Sequence, residues 1–341
     1  MASKSSSGTA TIPKPDNEAG DVSHEDMRRM FETMFLARSL DERMWLMNRA
    51  GRAPFVISCQ GHEAAQVGIA FAMDPSKDWL VPYYRDLAFV LHFGVTPRDV
   101  MLSLLARAEE PSSGGRQMPG HYGSRKHHIV TSSSPVGTQY AQAPGVALAS
   151  KMRGEDAVTA TCIGEGGTAQ GDFHEGLNWA SIHNLAVLFV VQNNHYAISV
   201  PMEKEMAVEH VADRAVAYGM PGVTVDGSNV LEVYAAARIA VERGRRGEGP
   251  TLFEVVVDRL TPHSSDDDDR FYRSREEVDS YRERDPLSIS LARIKELGAM
   301  SDEQEAEIRE RVKQQVNDAT DYAEAAPLPD ASEAFKHVYA E

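Results

Sequence analysis

The sequence contains 341 residues, and its 51 Asp and Glu outnumber its 35 Lys and Arg, so that the formal net charge is −16. This charge excludes a general nucleic-acid or anionic-membrane surface, although single basic residues can still bind a phosphate locally. Hydrophobic residues make up 42% of the chain, as in soluble globular proteins, and no apolar run reaches the roughly 18 residues of a membrane span.

The two cysteines, Cys59 and Cys162, provide neither a disulfide framework nor a paired metal-ligand spacing. Acidic residues at positions 16, 18 and 21 are unlike an organellar transit peptide, and an apolar secretory stretch is missing. We therefore expect a cytoplasmic protein of bacterial type, with Cys59 as a small packed residue.

Residues 1–22 are rich in Ser, Thr, Pro and Gly and contain almost no large apolar side chains, which predicts a flexible N-terminal tail. Residues 23–341 are predicted to form a single domain with helical extensions at both ends. Apolar residues at helical spacing predict an amphipathic helix from His24 to about Arg49, and helices are also expected over 61–73 and 97–108.

The centre of the sequence predicts alternating strands and helices. Apolar runs at 157–163, 186–192 and 252–257 predict strands, and helices are expected over 172–183 and 230–243. Continuously apolar strands indicate an α/β fold, in which a mainly parallel sheet has helices on both faces. After an acidic loop over 264–269, Ser301 and Gln304 form a capping-box pattern that opens a C-terminal helix.

A glycine-rich turn follows the first central strand. Residues 164–169 read G-E-G-G-T-A and formally match the dinucleotide-binding fingerprint G-x-G-x-x-G/A. A nicotinamide site needs an acidic residue near the end of the next strand, but this strand ends in Gln192, Asn193 and Asn194. A nicotinamide-dependent oxidoreductase is therefore the distant alternative.

Two polar residues, Glu165 and Asn194, follow neighbouring strands and are expected to face the same crevice, because the carboxyl ends of parallel strands lie side by side. A carboxylate, an amide oxygen and the backbone carbonyl of Tyr196 are hard ligands that suit magnesium, with positions left for phosphate oxygens and water. The glycines let the backbone approach a diphosphate. Taken alone, a carboxylate in such a turn is more often solvated, and Asn193 could be an ordinary turn residue.

Two segments, G-E-G-G-T-A-Q-G-D-F-H-E-G at 164–176 and Q-N-N-H-Y-A-I-S at 192–199, together resemble the thiamine-diphosphate motif of 2-oxo acid dehydrogenase E1 α subunits. The resemblance extends to G-H-E-A-A-Q at 61–66, P-Y-Y-R-D at 82–86, G-R-Q-M-P-G-H-Y-G at 115–123, S-S-P-V-G-T-Q at 133–139 and P-H-S-S-D-D-D-D at 262–269. It covers nearly everything from about residue 25 onward and implies a thiamine-diphosphate-binding fold.

The resemblance implies a role for each matching position. Thiamine diphosphate would contact Tyr84, Arg85, Ser134, Val136, Gly164, Glu165, Gly166, Gln192, Asn194, Tyr196 and His263. Magnesium would be bound by Glu165, Asn194 and Tyr196, and a potassium ion, as in branched-chain members, by Ser133, Pro135, Thr138 and Gln139. His263 matches the family's catalytic histidine, which suits proton transfer because its unperturbed pKa is close to neutral.

Two positions depart from the family pattern. Branched-chain members often carry Arg at the position of Gln192, where it reaches the diphosphate, and a glutamine cannot supply that charge. Cofactor binding is then expected to depend more on Arg85 and His263. His195 stands where a smaller residue is usual, but a backbone ligand at Tyr196 tolerates a changed neighbour.

Other polar residues have structural as well as functional interpretations. Arg85 could be an ordinary ion-paired surface residue, although its position in the motif favours a phosphate contact. His121, His127 and His128 form no second ligand set, so we expect solvated or stacked histidines outside the active site. The acidic run 266–269 could be a solvated loop, whereas in the family this loop orders around the cofactor.

The resemblance also implies an activity and partners. The chain would be the α subunit of an E1 component, which decarboxylates a 2-oxo acid oxidatively and transfers the acyl group to the lipoyl group of an E2 transacylase. In this family an E1 β subunit supplies the glutamate that activates the cofactor, so we expect an α2β2 heterotetramer. The loops 133–139 and 262–269 favour branched-chain substrates such as 2-oxoisovalerate, with pyruvate or acetoin dehydrogenase as alternatives. A catalytically silent scaffold subunit would bind a β subunit but not thiamine diphosphate.

Overall fold

The computed structural model describes residues 22–336 and Tyr339. The predicted flexible tail, residues 1–22, lies outside the described residues except for Val22. No helix in the described ranges is long and apolar enough to cross a membrane.

The secondary structure of this part of the chain alternates helices and short strands. The α-helices are α1 (His24–Arg49), α2 (Glu63–Phe71), α3 (Leu87–Phe93), α4 (Pro97–Leu104), α5 (Thr138–Arg153), α6 (Gly171–Ile182), α7 (Val230–Arg245), α8 (Arg275–Glu283), α9 (Pro286–Glu296) and α10 (Asp302–Ala325). The strands are β1 (Trp79–Val81), β2 (Thr159–Gly164), β3 (Val187–Asn193), β4 (Tyr196–Ala197), β5 (Val200–Pro201), β6 (Gly222–Asp226) and β7 (Thr251–Val256).

Five parallel strands form the central sheet in the order β1-β2-β3-β7-β6, while β4 and β5 form a separate antiparallel hairpin. The last residue of β2, Gly164, lies beside Gln192 of β3, and Asn193 of β3 lies beside Val256 of β7. The predicted parallel sheet is confirmed. The turns that follow β2, β3 and β7 therefore share one edge of the sheet.

Side chains of the sheet alternate between two hydrophobic cores. Leu188 and Val190 of β3 pack in the core that contains residues of α1, α2, α7 and α10, whereas Phe189 and Val191 pack in the core with α5 and α6. This alternation follows from the period of two along a strand. Helices therefore cover both faces of the sheet, as the apolar strands predicted.

Several predicted elements agree closely with the structure. The helix α1 has the predicted bounds, and the Ser23 side chain caps it by accepting from the Asp26 backbone N–H. The capping box of Ser301 and Gln304 opens α10. The predicted central strands and helices are all present within a few residues, but the helix predicted over 97–108 ends at Leu104.

Eight of the helices and strands named above had no counterpart in the sequence-based prediction, namely β1, β4, β5, β6, α3, α5, α8 and α9. The strand β1 has three residues, too few to show a period. The helix α5 contains Pro144 and many small residues, so its apolar periodicity is weak. Thr138 and Gln139, which were predicted to lie in an ion-binding loop, form the first turn of α5.

Candidate cofactor and metal site

A cavity of about 450 Å³ lies at the edge of the sheet where β2 and β3 end. Its walls include most residues that the resemblance assigned to the cofactor, namely Tyr84, Arg85, Ser134, Val136, Gly164, Gly166, Asn194, Tyr196 and His263. Glu165, between two glycines of the wall, is fully buried. Distant segments of the chain thus converge on one cavity, as the motif predicted.

A larger cavity, about 690 Å³, is lined by Leu260, Thr261 and Pro262 among other residues. Its walls hold none of the predicted site residues that the structure describes. Arg38 in its wall is already paired with the buried Glu63 and with Asp285. The smaller cavity is therefore the candidate cofactor site.

A hydrogen bond connects Glu165 with Asn194: the Asn194 backbone N–H donates to Glu165 Oε2 over 2.9 Å. Burial raises the pKa of the Glu165 carboxyl, and the neighbouring Glu205 adds to the shift. Glu165 Oε1 and Asn194 Oδ1 are buried without a hydrogen-bond partner among the described residues. Such atoms are rare in proteins unless an ion or water completes them. Glu165 is therefore not a solvated carboxylate, and the two free oxygens fit a cation.

His62 determines which way the Asn194 amide faces. Asn194 Nδ2 lies 3.3 Å from His62 Nε2. Burial and the charge of Arg85 lower the pKa of the His62 ring well below its usual value, so the neutral ring can accept this hydrogen bond. The amide oxygen is thereby turned away from His62. The G-H-E-A-A-Q segment contained this residue, but its spacing gave no signal for such a contact.

The hairpin of β4 and β5 brings the Tyr196 backbone to the cavity. The Tyr196 hydroxyl donates to Glu277 Oε1 over 2.8 Å, so the side chain is occupied elsewhere. A Cβ on Gly166 would lie 2.5 Å from the Cβ of Ala197, which shows how closely the turn approaches the hairpin. Among the described residues, no three His, Cys, Asp or Glu side chains are grouped around a metal position. A metal here would depend on one carboxylate with amide and backbone oxygens.

Three basic side chains face one another across the cavity, namely Arg85, Arg259 and His263. Arg85 exposes 2% of its surface and donates from Nη1 to the Ser58 carbonyl oxygen over 2.6 Å. Arg259 is completely buried, and its Nε and Nη1 have no hydrogen-bond partner among the described residues. The interpretation of Arg85 as a surface residue is wrong, since both guanidinium groups are enclosed.

The electrostatics of this cluster favour an anion. Burial, together with Arg85, lowers the pKa of Arg259 to about 10. Burial, Arg85 and Arg259 lower the pKa of His263 to about 3. Uncompensated buried charge is costly, so an anionic ligand would stabilise this arrangement. Sequence reasoning missed Arg259, although its position just after β7 places it at the same sheet edge as Glu165.

The acidic loop after His263 is ordered by its own hydrogen bonds. The His263 backbone N–H donates to Asp267 Oδ2 over 2.8 Å, and the Tyr272 hydroxyl donates to the same oxygen. Arg259 Nη2 donates to Tyr272 over 3.0 Å, and Arg273 Nη1 donates to the Arg259 carbonyl oxygen over 2.6 Å. The interpretation as a merely solvated loop is wrong for Asp267, which connects the loop to the cavity wall.

His121 lies in the cavity wall, contrary to the prediction that it lies outside the active site. Its Nδ1 donates to the Met118 carbonyl oxygen over 2.9 Å, and its Nε2 lies 2.7 Å from the Ser134 hydroxyl oxygen. The exclusion failed because this contact joins two segments of the chain. His128 stacks on Trp79 with ring centres 4.6 Å apart, as predicted for a stacked histidine.

Gln192 and Asn193 do not line the cavity. Gln192 is completely buried, and its Nε2 donates to Asp86 Oδ1 over 2.6 Å, so its predicted contact with the diphosphate is corrected. Asn193 donates from Nδ2 to the buried Glu254 over 2.7 Å and accepts from the His195 backbone N–H over 3.1 Å. Asn193 therefore stabilises the strand end, as expected of a structural residue. Cys59 is buried, as predicted for a packed residue.

The predicted potassium loop has partly the expected form. Thr138 Oγ1 lies 3.3 Å from the Pro135 carbonyl oxygen, to which it donates. Gln139 donates from Nε2 to the Cys162 carbonyl oxygen over 2.8 Å, while its Oε1 is buried without a partner in the described chain. Ser133 is half-buried beside them. Oxygen atoms suitable for a large cation are thus present, but the prediction of potassium stays a prediction.

Comparisons with known proteins agree with the site. The model of the family described as dehydrogenase E1 component matches residues 31–332. The 2-oxoisovalerate dehydrogenase subunit alpha of Bacillus subtilis is 56% identical over 311 residues, covering 91% of this chain and 94% of that protein. The pyruvate dehydrogenase E1 component subunit alpha of Bacillus subtilis is 37% identical over 326 residues, with coverages of 95% and 85%. The 3-methyl-2-oxobutanoate dehydrogenase subunit alpha of Mycobacterium tuberculosis is 37% identical over 321 residues, with coverages of 94% and 84%.

These matches extend over nearly the whole domain and confirm the resemblance found in the motifs. They leave the nicotinamide alternative without support, because the strand after the glycine-rich turn ends in amides and the turn itself belongs to a matched E1 motif. The chain belongs to the dehydrogenase E1 component family, whose fold implies thiamine diphosphate as its cofactor.

Proposed function

We propose that this chain is the α subunit of the E1 component of a branched-chain 2-oxo acid dehydrogenase complex. It takes part in the oxidative decarboxylation of 2-oxo acids such as 2-oxoisovalerate and in acyl transfer to the lipoyl group of E2. The observation that carries the proposal is the pair of free oxygens on Glu165 and Asn194 in the same site as buried guanidinium groups. A magnesium diphosphate requires both features.

The metal and the diphosphate would be held by different groups of this site. Glu165, Asn194 and the Tyr196 backbone carbonyl would bind magnesium, since the first two present buried oxygens without a hydrogen-bond partner among the described residues. Arg85 and Arg259 would donate to the phosphate oxygens, and charge-assisted bonds of this kind are the stronger ones. Gly166, which lines the cavity, would present its backbone to the diphosphate.

The other end of the cavity would receive the reactive part of the cofactor. When bound, thiamine diphosphate supplies a nucleophilic carbon and an electron sink for decarboxylation. Ser134, oriented by its bond to His121, and the exposed side chain of Val136 also line this cavity. His263 is neutral in the free chain, so its ring can accept a proton once an anion offsets the neighbouring arginines.

A β subunit would complete this site. Apolar side chains are exposed around the cavity, with exposed fractions of 50% for Met118, 37% for Val136 and 56% for Ile198. Clusters of exposed apolar residues often mark surfaces that another chain covers. In the family the β subunit also supplies the glutamate that activates the cofactor. We therefore propose an α2β2 heterotetramer that passes its acyl group to E2.

The branched-chain substrate is supported by the 56% identity to a 2-oxoisovalerate dehydrogenase subunit, against 37% for a pyruvate dehydrogenase subunit. Steady-state assays of the reconstituted α/β pair would compare kcat/KM for 2-oxoisovalerate and pyruvate. A higher value for pyruvate would favour the alternative substrate class.

We also propose that potassium stabilises the segment that contains Ser133 and Pro135 together with Thr138 and Gln139 in the first turn of α5. The free oxygen of Gln139 supports it. Replacing potassium with lithium at constant ionic strength should lower the Tm of the α/β complex, and an unchanged Tm would count against potassium.

Calorimetry of the α/β complex tests the central proposal. We expect thiamine diphosphate to bind only with magnesium, and Asn194→Ala to weaken binding at least tenfold, because it removes a metal ligand. Asn178→Ala, on the exposed face of α6, is the matched control and should bind as the wild type does. Magnesium-independent binding, or unchanged binding by Asn194→Ala, would refute the metal assignment.

A further inference from the structure

We infer that Gln192 is a positioning residue for Arg85, and that it acts through the buried side chains of Gln66 and Asp86. The inference rests on the proposed function, because it concerns how the chain holds one of its diphosphate-binding groups. It also explains how this site could bind a diphosphate without the arginine that branched-chain members often carry at the position of Gln192.

Both polar atoms of the Gln192 side-chain amide form hydrogen bonds. Its Nε2 donates to Asp86 Oδ1 over 2.6 Å, and its Oε1 accepts from Gln66 Nε2 over 3.0 Å. All three side chains are completely buried. A connected chain of buried hydrogen bonds of this kind favours a single arrangement of the three side chains.

Gln66 and Asp86 hold the backbone on both sides of Arg85. Gln66 Nε2 also donates to the Arg85 carbonyl oxygen over 3.0 Å, and Gln66 Oε1 accepts from the Ala88 N–H over 3.0 Å. Asp86 Oδ2 accepts from the Tyr83 N–H over 3.0 Å. Two backbone groups of the turn before α3 and one in the first turn of α3 are therefore fixed by two side chains, and Gln192 joins those side chains to each other.

The guanidinium group of Arg85 depends on this turn for its direction. It extends from the turn into the cavity, where Nη1 donates to the Ser58 carbonyl oxygen and Nη2 approaches His263. A backbone shift at Arg85 would move the donors relative to Glu165 and Asn194. Because the distances that bind a diphosphate are set within a few tenths of an ångström, a loosened turn weakens binding without removing any charge.

Only an amide completes the network at position 192. An arginine donates but cannot accept, so it would leave Gln66 Nε2 with one bond fewer. A glutamate would place a second carboxylate against Asp86, whose pKa burial already raises to about 7. Gln192 therefore makes no direct phosphate contact, and Arg259, whose Nε and Nη1 have no hydrogen-bond partner in the part of the chain that the structure describes, supplies a buried positive charge to the cavity.

A thermodynamic cycle tests whether Gln192 acts through Arg85. Calorimetry would give the Kd of thiamine diphosphate with magnesium for the α/β complexes of the wild type, Gln192→Met, Arg85→Ala and the double variant. We expect Gln192→Met to raise Kd about tenfold in the wild type and less than about twofold in the Arg85→Ala background.

Asn229→Ala controls for a loss of stability alone. Asn229 caps α7 by accepting from the Leu231 N–H over 3.0 Å, outside the cavity. This variant should lower Tm but leave Kd unchanged. A tenfold rise in Kd for Gln192→Met in both backgrounds, or no rise in either, overturns the inference.

The wild-type complex separates this inference from the proposed function. If it binds no thiamine diphosphate, the proposed function fails, and the crystal structure of Gln192→Met then decides the inference. If Arg85 in that variant has moved away from the Ser58 carbonyl oxygen, the structure supports positioning by Gln192. If Arg85 keeps its wild-type hydrogen bond, the inference is overturned.

Discussion

One nitrogen of the Arg85 guanidinium group contacts two atoms of His263, because Nη2 lies 3.3 Å from His263 Nδ1 and 3.3 Å from the His263 carbonyl oxygen. A guanidinium group only donates, so Nδ1 accepts and the neutral ring carries its proton on Nε2. Burial and the two arginines lower the pKa of His263 to about 3. The protonation state of the His263 ring therefore depends on whether an anion offsets the positive charges of Arg85 and Arg259.

Binding of the diphosphate is expected to raise the pKa of His263. Between the free and bound pKa values the complex takes up a proton, so the affinity contributed by this group falls as pH rises through that interval. Calorimetry at about pH 5.5 in buffers with different ionisation enthalpies would measure the proton uptake, which His263→Asn should reduce.

His92→Asn is the matched control for this experiment. Burial lowers the pKa of His92 to about 4, but its ring packs against Phe71 outside the cavity, with ring centres 4.2 Å apart. Its replacement should leave the proton uptake unchanged. Equal uptake by the wild type and His263→Asn would show that His263 does not respond to the cofactor.

Arg259→Met is expected to weaken diphosphate binding about tenfold to a hundredfold, as the loss of charge-assisted hydrogen bonds predicts. Arg259→Lys should recover only part of the affinity, since a lysine keeps the charge but lacks the guanidinium geometry. Calorimetry with magnesium pyrophosphate isolates this end of the ligand. Arg275→Met, at a side chain that is 91% exposed, serves as the control. Wild-type affinity in Arg259→Met would remove Arg259 from the site.

Gly166→Ala is expected to displace the β4–β5 hairpin, because its Cβ would lie 2.5 Å from the Ala197 Cβ and 3.0 Å from the Ala197 Cα. The Tyr196 carbonyl would move with the hairpin, and we expect at least a tenfold loss of magnesium-dependent cofactor binding. Gly171→Ala is the matched control, since no atom lies within 4 Å of its added Cβ. It should bind normally and stabilise α6 by up to about 1 kcal/mol. Equal cofactor affinity of the two variants would contradict the close approach of Gly166 to Ala197.

Asp41→Asn should change how stability depends on pH. The Asp41 carboxyl is buried, Oδ2 accepts from the Ser58 hydroxyl over 2.9 Å, and Oδ1 has no partner in the described residues. Burial raises the pKa of Asp41 from 3.8 to about 7. The unfolded chain therefore binds fewer protons between these values, so stability falls as pH rises from about 4 to 7, by at most about 4 kcal/mol.

Removing this carboxyl should flatten the pH dependence, so the Tm of Asp41→Asn relative to the wild type should be higher at about pH 8 than at about pH 5. Differential scanning calorimetry of the complex would measure both. Asp156→Asn is the control, because its side chain is 61% exposed and Lys77 lowers its pKa, which predicts a small change of opposite sign. If Asp41→Asn changed the Tm by the same amount at both pH values, the raised pKa of Asp41 would be contradicted.

Most of the fold and the metal pair could be predicted from the sequence because they depend on local patterns. The helix α1 follows from helical spacing, and the strands around Glu165 and Asn194 follow from continuous apolar runs. Neighbouring parallel strands place their carboxyl ends together, so the two residues had to meet once that order was assumed. The short strand β1 and the proline-containing helix α5 had no such pattern.

The sequence by itself determined the family, the parallel sheet and the motif residues that line the cavity. Only the tertiary structure decided that Arg259 is buried there with free nitrogens, that His121 bonds to Ser134, and that Gln192 faces Asp86 instead of the cavity. Burial and hydrogen-bond partners arise between segments far apart in the chain. The spacing of residues along the sequence carries no information about such contacts until the chain has folded.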